Sequence, residues 1–435
     1  MKKSVWTENV TLPSFKKLDS DKKTDVLIIG GGFSGILCAY FLKQAGIDYV
    51  LVEGNKIASG ITKNTTAKIT SQHGLIYNKL IHSFGKEMAS MYLLANQDAL
   101  YEYESLSKDI DCDFSKKSAY TYSMQSTEKI GKEVNALNDL GFDAEFKKEL
   151  ELPFKTKGAI CFPNQAQFNP LKFIATIAKD LNIYEDTFIR DIAPNLAISE
   201  SGKITAKKII LTTHFPFINK HGNYFLKLYQ HRSYVSAFEN VEPLDGMYVD
   251  EDLKGFSFRM HNNLLLIGGG GHRTGKTGGA WEEIYNFSKK YYPKSTLKYE
   301  WATQDCMSLD GIPYIGKYSK KTPDLYVATG FNKWGMTSSM VAAKILCDMA
   351  KDKKNDYEDL FSPQRSILKP QLFVNGFETT LNLLTPTPKR CPHLGCALKW
   401  NKLEHTWDCP CHGSRFEENG KLIDNPATGD LNLKD

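Results

Sequence analysis

The chain has 435 residues, 41% hydrophobic and 24% charged, with a formal net charge of +5. This composition belongs to a folded globular protein with room for two or three domains, and it excludes a disordered or fibrous chain. The small net charge and the equal numbers of acidic and basic residues over 389–435 exclude a basic tail, so nucleic acid is not an expected partner.

The opening stretch MKKSVWTENVTLPSFKKLDSDKK carries lysines but no apolar signal-peptide core. No run of ~18 apolar residues occurs anywhere. The expectation is a cytoplasmic protein without a membrane span. Four of the nine cysteines fall in one short window near the end, which argues against a disulfide-stapled scaffold. Cys38, Cys112, Cys161, Cys306 and Cys347 are read as packing residues.

Residues 25–29, DVLII, form a β-branched apolar run, followed by GGGFSG and then ILCAYFLKQAG with helical apolar spacing. Gly46 ends that helix, and DYVLVEG (48–54) is a second buried strand. Gly30, Gly32 and Gly35 fit G-x-G-x-x-G between strand and helix, with Glu53 closing the next strand. Such glycines let backbone approach a pyrophosphate at a helix N-terminus, and the acid accepts ribose hydroxyls. The unit therefore binds a dinucleotide, and the glycines alone leave FAD and NAD both open.

Residues 55–80 are polar and read as functional loop plus a short helix. Residues 86–110 read as helix. From 115 to 300, short strands (GAICF, KKIILTTHF, HRSYVSAFE, GFSFRM, NLLLIGG) mix with helices over 170–181 and 281–291, an α+β insertion. DLYVATG (324–330) returns to a buried strand, followed by the helix MTSSMVAAKILCDMAK. After DKKNDYEDLFSPQRS come a helix-like stretch around 371–384 and the Pro-rich TPTPKR, read as a linker.

VLIIGGGFSGILCAYFLKQAG…VLVEG, ASGITKNTTAKITSQHG and LDGIPYIGK…PDLYVATGFNKWGMTSS together resemble the D-amino-acid-oxidase-like family of FAD-dependent oxidoreductases, over residues 25 to about 350. The resemblance implies FAD held by Gly30, Gly32, Phe33, Ser34, Gly35 and Glu53. It implies that Thr65, Thr66, Ala67 and Lys68 lie along the cofactor, and that Gly330, Phe331, Trp334, Gly335 and Met336 form a late turn returning to the flavin. The catalytic residues are not assigned. His214, Arg232, Arg259 and His272 stand at strand ends of the insertion, where either arginine could bind a substrate carboxylate or simply lie at the surface.

GGHRTGKT (270–277) satisfies the phosphate-loop pattern G-x-x-x-x-G-K-[ST]. A nucleoside-triphosphate site needs its own parallel βαβ core, whereas this stretch lies among short strands expected to be antiparallel. It is read as a glycine turn.

At the tail, Cys391-x-His393 and Cys409-x-x-His412 have the spacing of a Rieske 2Fe-2S cluster, in which two cysteines hold one iron and two histidines the other. A zinc ion on the same four ligands is the alternative, against which the Cys-x-His pair counts. CPHLGC, CPCHGS and DNPATG resemble the Rieske proteins of respiratory and photosynthetic complexes. The resemblance implies a Cys396–Cys411 disulfide, a proline loop over the cluster at 424–429, and a Ser414 hydrogen bond to a cluster sulfur. Phe416 stands where those relatives carry a tyrosine. His405 fits no ligand position and is read as surface.

The expected fold class is α/β: a Rossmann-like FAD-binding domain with an inserted α+β substrate domain, followed by a small all-β Rieske module. The expected divisions are an oxidoreductase over 1–355, with FAD-binding parts about 20–85 and 305–355 and a substrate part about 86–304, then a linker over 356–388 and a pared Rieske module over 389–435. Flavin takes a hydride equivalent and the cluster passes single electrons. The expected function is oxidation of a small amine, amino acid or hydroxy acid, with electrons delivered through the cluster to a one-electron carrier. A reductase fed by the cluster and a non-catalytic redox sensor are the alternatives. An oligomer is compatible with the sequence.

Overall fold

The computed structural model describes residues 3–432, so the last three residues of the expected tail module lie outside the described residues. The β-branched runs read from sequence pair into one largely parallel sheet. Its order is Tyr314–Ser319, Thr322–Thr329, Lys203–Leu211, Lys22–Ile29, Tyr49–Val52, Ile183–Tyr184, and only the edge strand Tyr314–Ser319 runs antiparallel along this path. Val26, Ile28 and Leu51 face one side of it with the helices Phe33–Gln44 and Gly335–Ala350, while Leu27, Ile29 and Val50 form a second core on the other side. Strands buried on both faces read as continuous apolar runs, which is why DVLII and YVLV carry no alternation.

A nine-stranded mixed sheet stands beside the first. At one edge, Thr296–Ser308, Leu228–Glu239 and Leu264–Arg273 follow in that order and pair antiparallel. The expected insertion over 86–304 is not one excursion. The chain returns to the parallel sheet at Ile183–Tyr184 and Lys203–Leu211, so KKIIL pairs with the first strand and belongs to the dinucleotide-type sheet. Strand-to-strand adjacency across so long a sequence gap leaves no local pattern.

A four-stranded antiparallel sheet, Lys399–Asn401, Thr406–Asp408, Arg415–Glu417 and Leu422–Asp424, forms the tail. Its small core gathers Cys391, Cys396, Leu398, Cys409, Cys411 and Phe416. So small a core gives limited stability alone, and the module leans on the nine-stranded sheet. Arg232 of that sheet pairs with Glu404, which also accepts from Tyr234 Oη at 3.0 Å and from Arg415 Nη2 at 2.8 Å. Gln304 Nε2 donates to the Gly413 carbonyl at 2.9 Å, and Arg273 Nε to that of Pro410 at 3.2 Å.

Candidate functional site

The glycine turn sits where the first strand meets its helix. Gly30 has φ +112°, a conformation that favours glycine, and a Cβ there would lie 2.7 Å from the Thr212 carbonyl oxygen. A Cβ on Gly35 would overlap the Gly30 carbonyl, so this glycine serves close packing of helix on strand. Glu53 accepts from the backbone N–H of Gly31 at 2.7 Å and of Asn55 at 2.8 Å, each oxygen keeping a further lone pair. Burial raises its carboxyl above the usual range against those hydrogen bonds.

Gly30, Gly32, Phe33, Ser34, Glu53, Thr65 and Thr66 line one cavity of about 910 Å³, as do Gly330, Phe331, Trp334, Gly335 and Met336. The volume, a helix N-terminus and an acid at the second strand suit a dinucleotide. Gly35 and Ala67 are not on the wall. Ala67, with φ +52°, is buried, and its carbonyl and that of Thr66 each accept from Arg259 Nη1 at 2.8 Å. Arg259 therefore pins the loop beside the cavity, and the expectation that it could hold a substrate carboxylate is corrected. Arg232 is likewise committed, to Glu404. His272 Nε2 pairs with Tyr234 Oη at 3.0 Å, and His214 Nε2 with Gln230 Oε1 at 3.0 Å.

The late turn is tightly wound: Gly330, Asn332 and Lys333 all have positive φ. Asn332 holds it by accepting from Ser308 N–H at 2.8 Å and donating to the Gly330 carbonyl at 2.6 Å. Polar cavity groups that sequence reasoning did not single out also meet here. Lys333 Nζ donates to Ser233 Oγ at 3.1 Å, and Ser233 Oγ lies 3.4 Å from Asp305 Oδ2. Burial lowers Lys333 and raises Asp305, each partly offset by the other's charge. His73 stacks on Trp334 at 4.8 Å and is held by Tyr92 Oη at 2.6 Å, its pKa pushed down to about 3 by burial. Lys68, also on the wall, is lowered to about 7 by burial and the nearby Arg259. The loop motif places Lys68 along the cofactor, whereas Lys333, Ser233, Asp305 and His73 come together from four separate stretches, so for these only the positive-φ turn, with its Asn-Lys pair after a glycine, left a sequence trace.

In the tail, the four expected ligands converge. His393 Nδ1 and His412 Nδ1 are 3.3 Å apart, and the Cys391 and Cys409 sulfurs are in hydrogen-bonding contact. Cys396 and Cys411 form a disulfide joining the two ligand loops, which withdraws them from any ligand set. Two cysteine thiols and two imidazole nitrogens make up the donor set of a Rieske cluster. Ser414 Oγ donates to the Cys391 sulfur and accepts from Ala427 N at 3.0 Å. His412 is buried against Phe215 and Phe225, while His393 Nε2 meets Asn219 Oδ1 at 2.7 Å. His405 is exposed.

The loop 424–430 packs Ala427 into the small core with Cys391, Cys396, Cys409 and Cys411 on one side and walls the cavity on the other. Asn425 Nδ2 donates to the carbonyls of Thr213 (2.6 Å) and Phe215 (2.7 Å), and Arg190 Nη1 to that of Thr428. By contrast the phosphate-loop pattern at 270–277 forms no anion cradle. Its strand is paired antiparallel on both sides, a Cβ on Gly275 would meet Pro410 backbone at 2.8 Å, and Lys276 Nζ pairs with Glu378 at 2.8 Å.

Comparison with known proteins agrees with this geometry. Residues 25–349 match the family model for FAD dependent oxidoreductases, and residues 382–433 the model for the Rieske [2Fe-2S] domain. YhfW of Bacillus subtilis (strain 168), named as a Rieske 2Fe-2S iron-sulfur protein, is 34% identical, with 98% of this chain and 96% of YhfW covered. The cytochrome b6-f complex iron-sulfur subunit of Synechococcus sp. (strain JA-3-3Ab) is 51% identical over 43 residues, 10% of this chain and 25% of that one. Glycine oxidase from Geobacillus kaustophilus shares the fold at TM-score 0.66 and 18% identity, covering 80% of this chain and 100% of its own. L-Proline dehydrogenase from P. horikoshii does so at TM-score 0.65 and 16% identity, covering 79% and 98%.

Proposed function

Because the chain belongs to the FAD dependent oxidoreductase family and ends in a Rieske [2Fe-2S] domain, we propose that it oxidises a small amine, amino acid or hydroxy acid and passes the electrons one at a time between flavin and cluster. FAD, when bound, supplies acceptance of a hydride equivalent, and the cluster supplies single-electron transfer to a carrier. In this reading the FAD-binding residues are those of the glycine turn and late turn that line the cavity. Cys391, His393, Cys409 and His412 are the iron ligands.

The observation that carries the proposal is the shared loop 424–430. From the cavity wall at Ala427, whose N–H donates to Ser414 Oγ, a second hydrogen bond leads from Ser414 to the Cys391 sulfur. In this reading a wall this thin keeps the two redox sites close. The chain's own residues around the cavity do the rest. The wound 330–333 turn and the Arg259-pinned loop fix the walls, and Lys333, Ser233 and Asp305 present a polar edge to a substrate. Structural neighbours named as amino-acid oxidases, deaminases and dehydrogenases support the substrate class. Anaerobic screening of amines, amino acids and hydroxy acids for flavin bleaching tests it. A flavin that none of them reduces would favour a redox sensor or a reductase fed by the cluster.

A further inference from the structure

The helix Pro370–Leu384 is inverted. Its polar stripe faces the protein: Asn375 accepts from Arg273 Nη1 at 3.1 Å and donates to the Leu226 carbonyl at 3.2 Å, Glu378 pairs with Lys276, and the Asn382 carbonyl accepts from Ala397 N at 2.9 Å. Its apolar side chains face outward. Phe373 is 72% exposed, Phe377 68%, Leu384 77%, and Leu368 just before the helix 76%; Val374 and Leu381 add to the same surface. An amphipathic helix in a globular protein normally buries the opposite face, and a contiguous exposed apolar surface of this kind marks an interaction site.

We propose that this surface inserts into the interface of an anionic lipid bilayer. Two features choose lipid over protein. The outward face offers Thr380 as its hydrogen-bonding side chain, whereas a protein interface of useful size needs about one hydrogen bond per 100–200 Å². The flanking sequence is basic: between residues 366 and 402 stand Lys369, Lys389, Arg390, Lys399 and Lys402 against the single acid Glu378, itself paired inward. An isologous dimer would set this basic region against its own copy, while a negatively charged leaflet attracts it. Apolar insertion plus basic flanks is the pair of signals that gives stable, reversible membrane binding. The helix end is tied to a ligand loop of the cluster through Arg390, which donates to the Leu383 and Gly395 carbonyls at 3.1 and 2.9 Å. Binding therefore brings the cluster loop to the bilayer surface.

The test is co-sedimentation of the flavin- and cluster-loaded full chain with vesicles of phosphatidylglycerol and phosphatidylcholine, and of phosphatidylcholine alone. The wild type should sediment with the anionic vesicles and be released by high salt. F373S/F377S should bind more than about ten-fold more weakly with flavin and cluster absorbance unchanged, and K399E/K402E should bind more weakly at low salt. Wild type that stays in the supernatant at low salt, or equal sedimentation of F373S/F377S, overturns the proposal. So does a lipid-free dimer in light scattering that F373S/F377S abolishes, because a second copy would then cover the face.

Discussion

Removing the Glu404 carboxylate should loosen the cluster module from the nine-stranded sheet. Glu404 sits between Arg232 and Arg415, side chains that are 3% and 7% exposed, and accepts from Tyr234. Burial pushes its carboxyl up, but the two arginines and the Arg232 and Tyr234 hydrogen bonds outweigh it and hold the group at about 2, against an ordinary 4.5. At 1.36 kcal/mol per unit this linkage is about 3 kcal/mol, within the range for breaking one partner of a buried pair. The folded value is depressed, so the contribution is present above pH 4.5 and is lost as pH falls through 2. E404A should lower the urea midpoint of the module, followed by the cluster's visible circular dichroism, by an amount equivalent to about 3 kcal/mol at pH 7. The loss should shrink between pH 4.5 and 2. The double variant R232M/E404L should recover much of it, since no buried charge at 232 is then left unpaired. A single-variant loss below about 0.5 kcal/mol at pH 7, with no coupling in the double-mutant cycle, would refute the docking role of this network.

Further outcomes follow from the same geometry. E53A should weaken FAD retention on dilution, measured by absorbance after gel filtration. C391A or H412A should abolish the cluster, whereas the wild type should approach two iron and two sulfide per chain; one zinc with no acid-labile sulfide would reject the ligand set. F416Y should raise the midpoint potential in film voltammetry, because Phe416 is fully buried among the cluster cysteines and a hydroxyl there can donate to a sulfur. Lys68 is charged below about pH 7 and neutral above it, so a step in flavin reduction rate near that pH should appear in stopped-flow data and vanish in K68M.

The features legible in the sequence were local ones. Gly30, Gly35 and Glu53 lie within one strand–turn–helix–strand unit, and Cys391, His393, Cys409 and His412 within two tight loops, so local spacing was enough to single out each set. The Arg232–Glu404 pair could not be read, because it joins a strand of one sheet to a turn of another across most of the chain's second half. The same holds for Lys203–Leu211, whose place beside the first strand depends on topology and not on pattern. Residues 371–384 showed helical spacing, yet periodicity does not say which face turns inward. Asn375 and Glu378 found partners on the protein, and that decided it.

The most direct test of electron exchange between flavin and cluster is anaerobic reduction of the flavin by a reactive substrate, with the reduced cluster followed by rapid-freeze electron paramagnetic resonance. The cluster signal should grow as the flavin reoxidises, at a rate independent of protein concentration, because the loop 424–430 joins both sites in one chain. A cluster that stays oxidised beside reduced flavin, or a rate that rises with protein concentration, would contradict transfer within the chain.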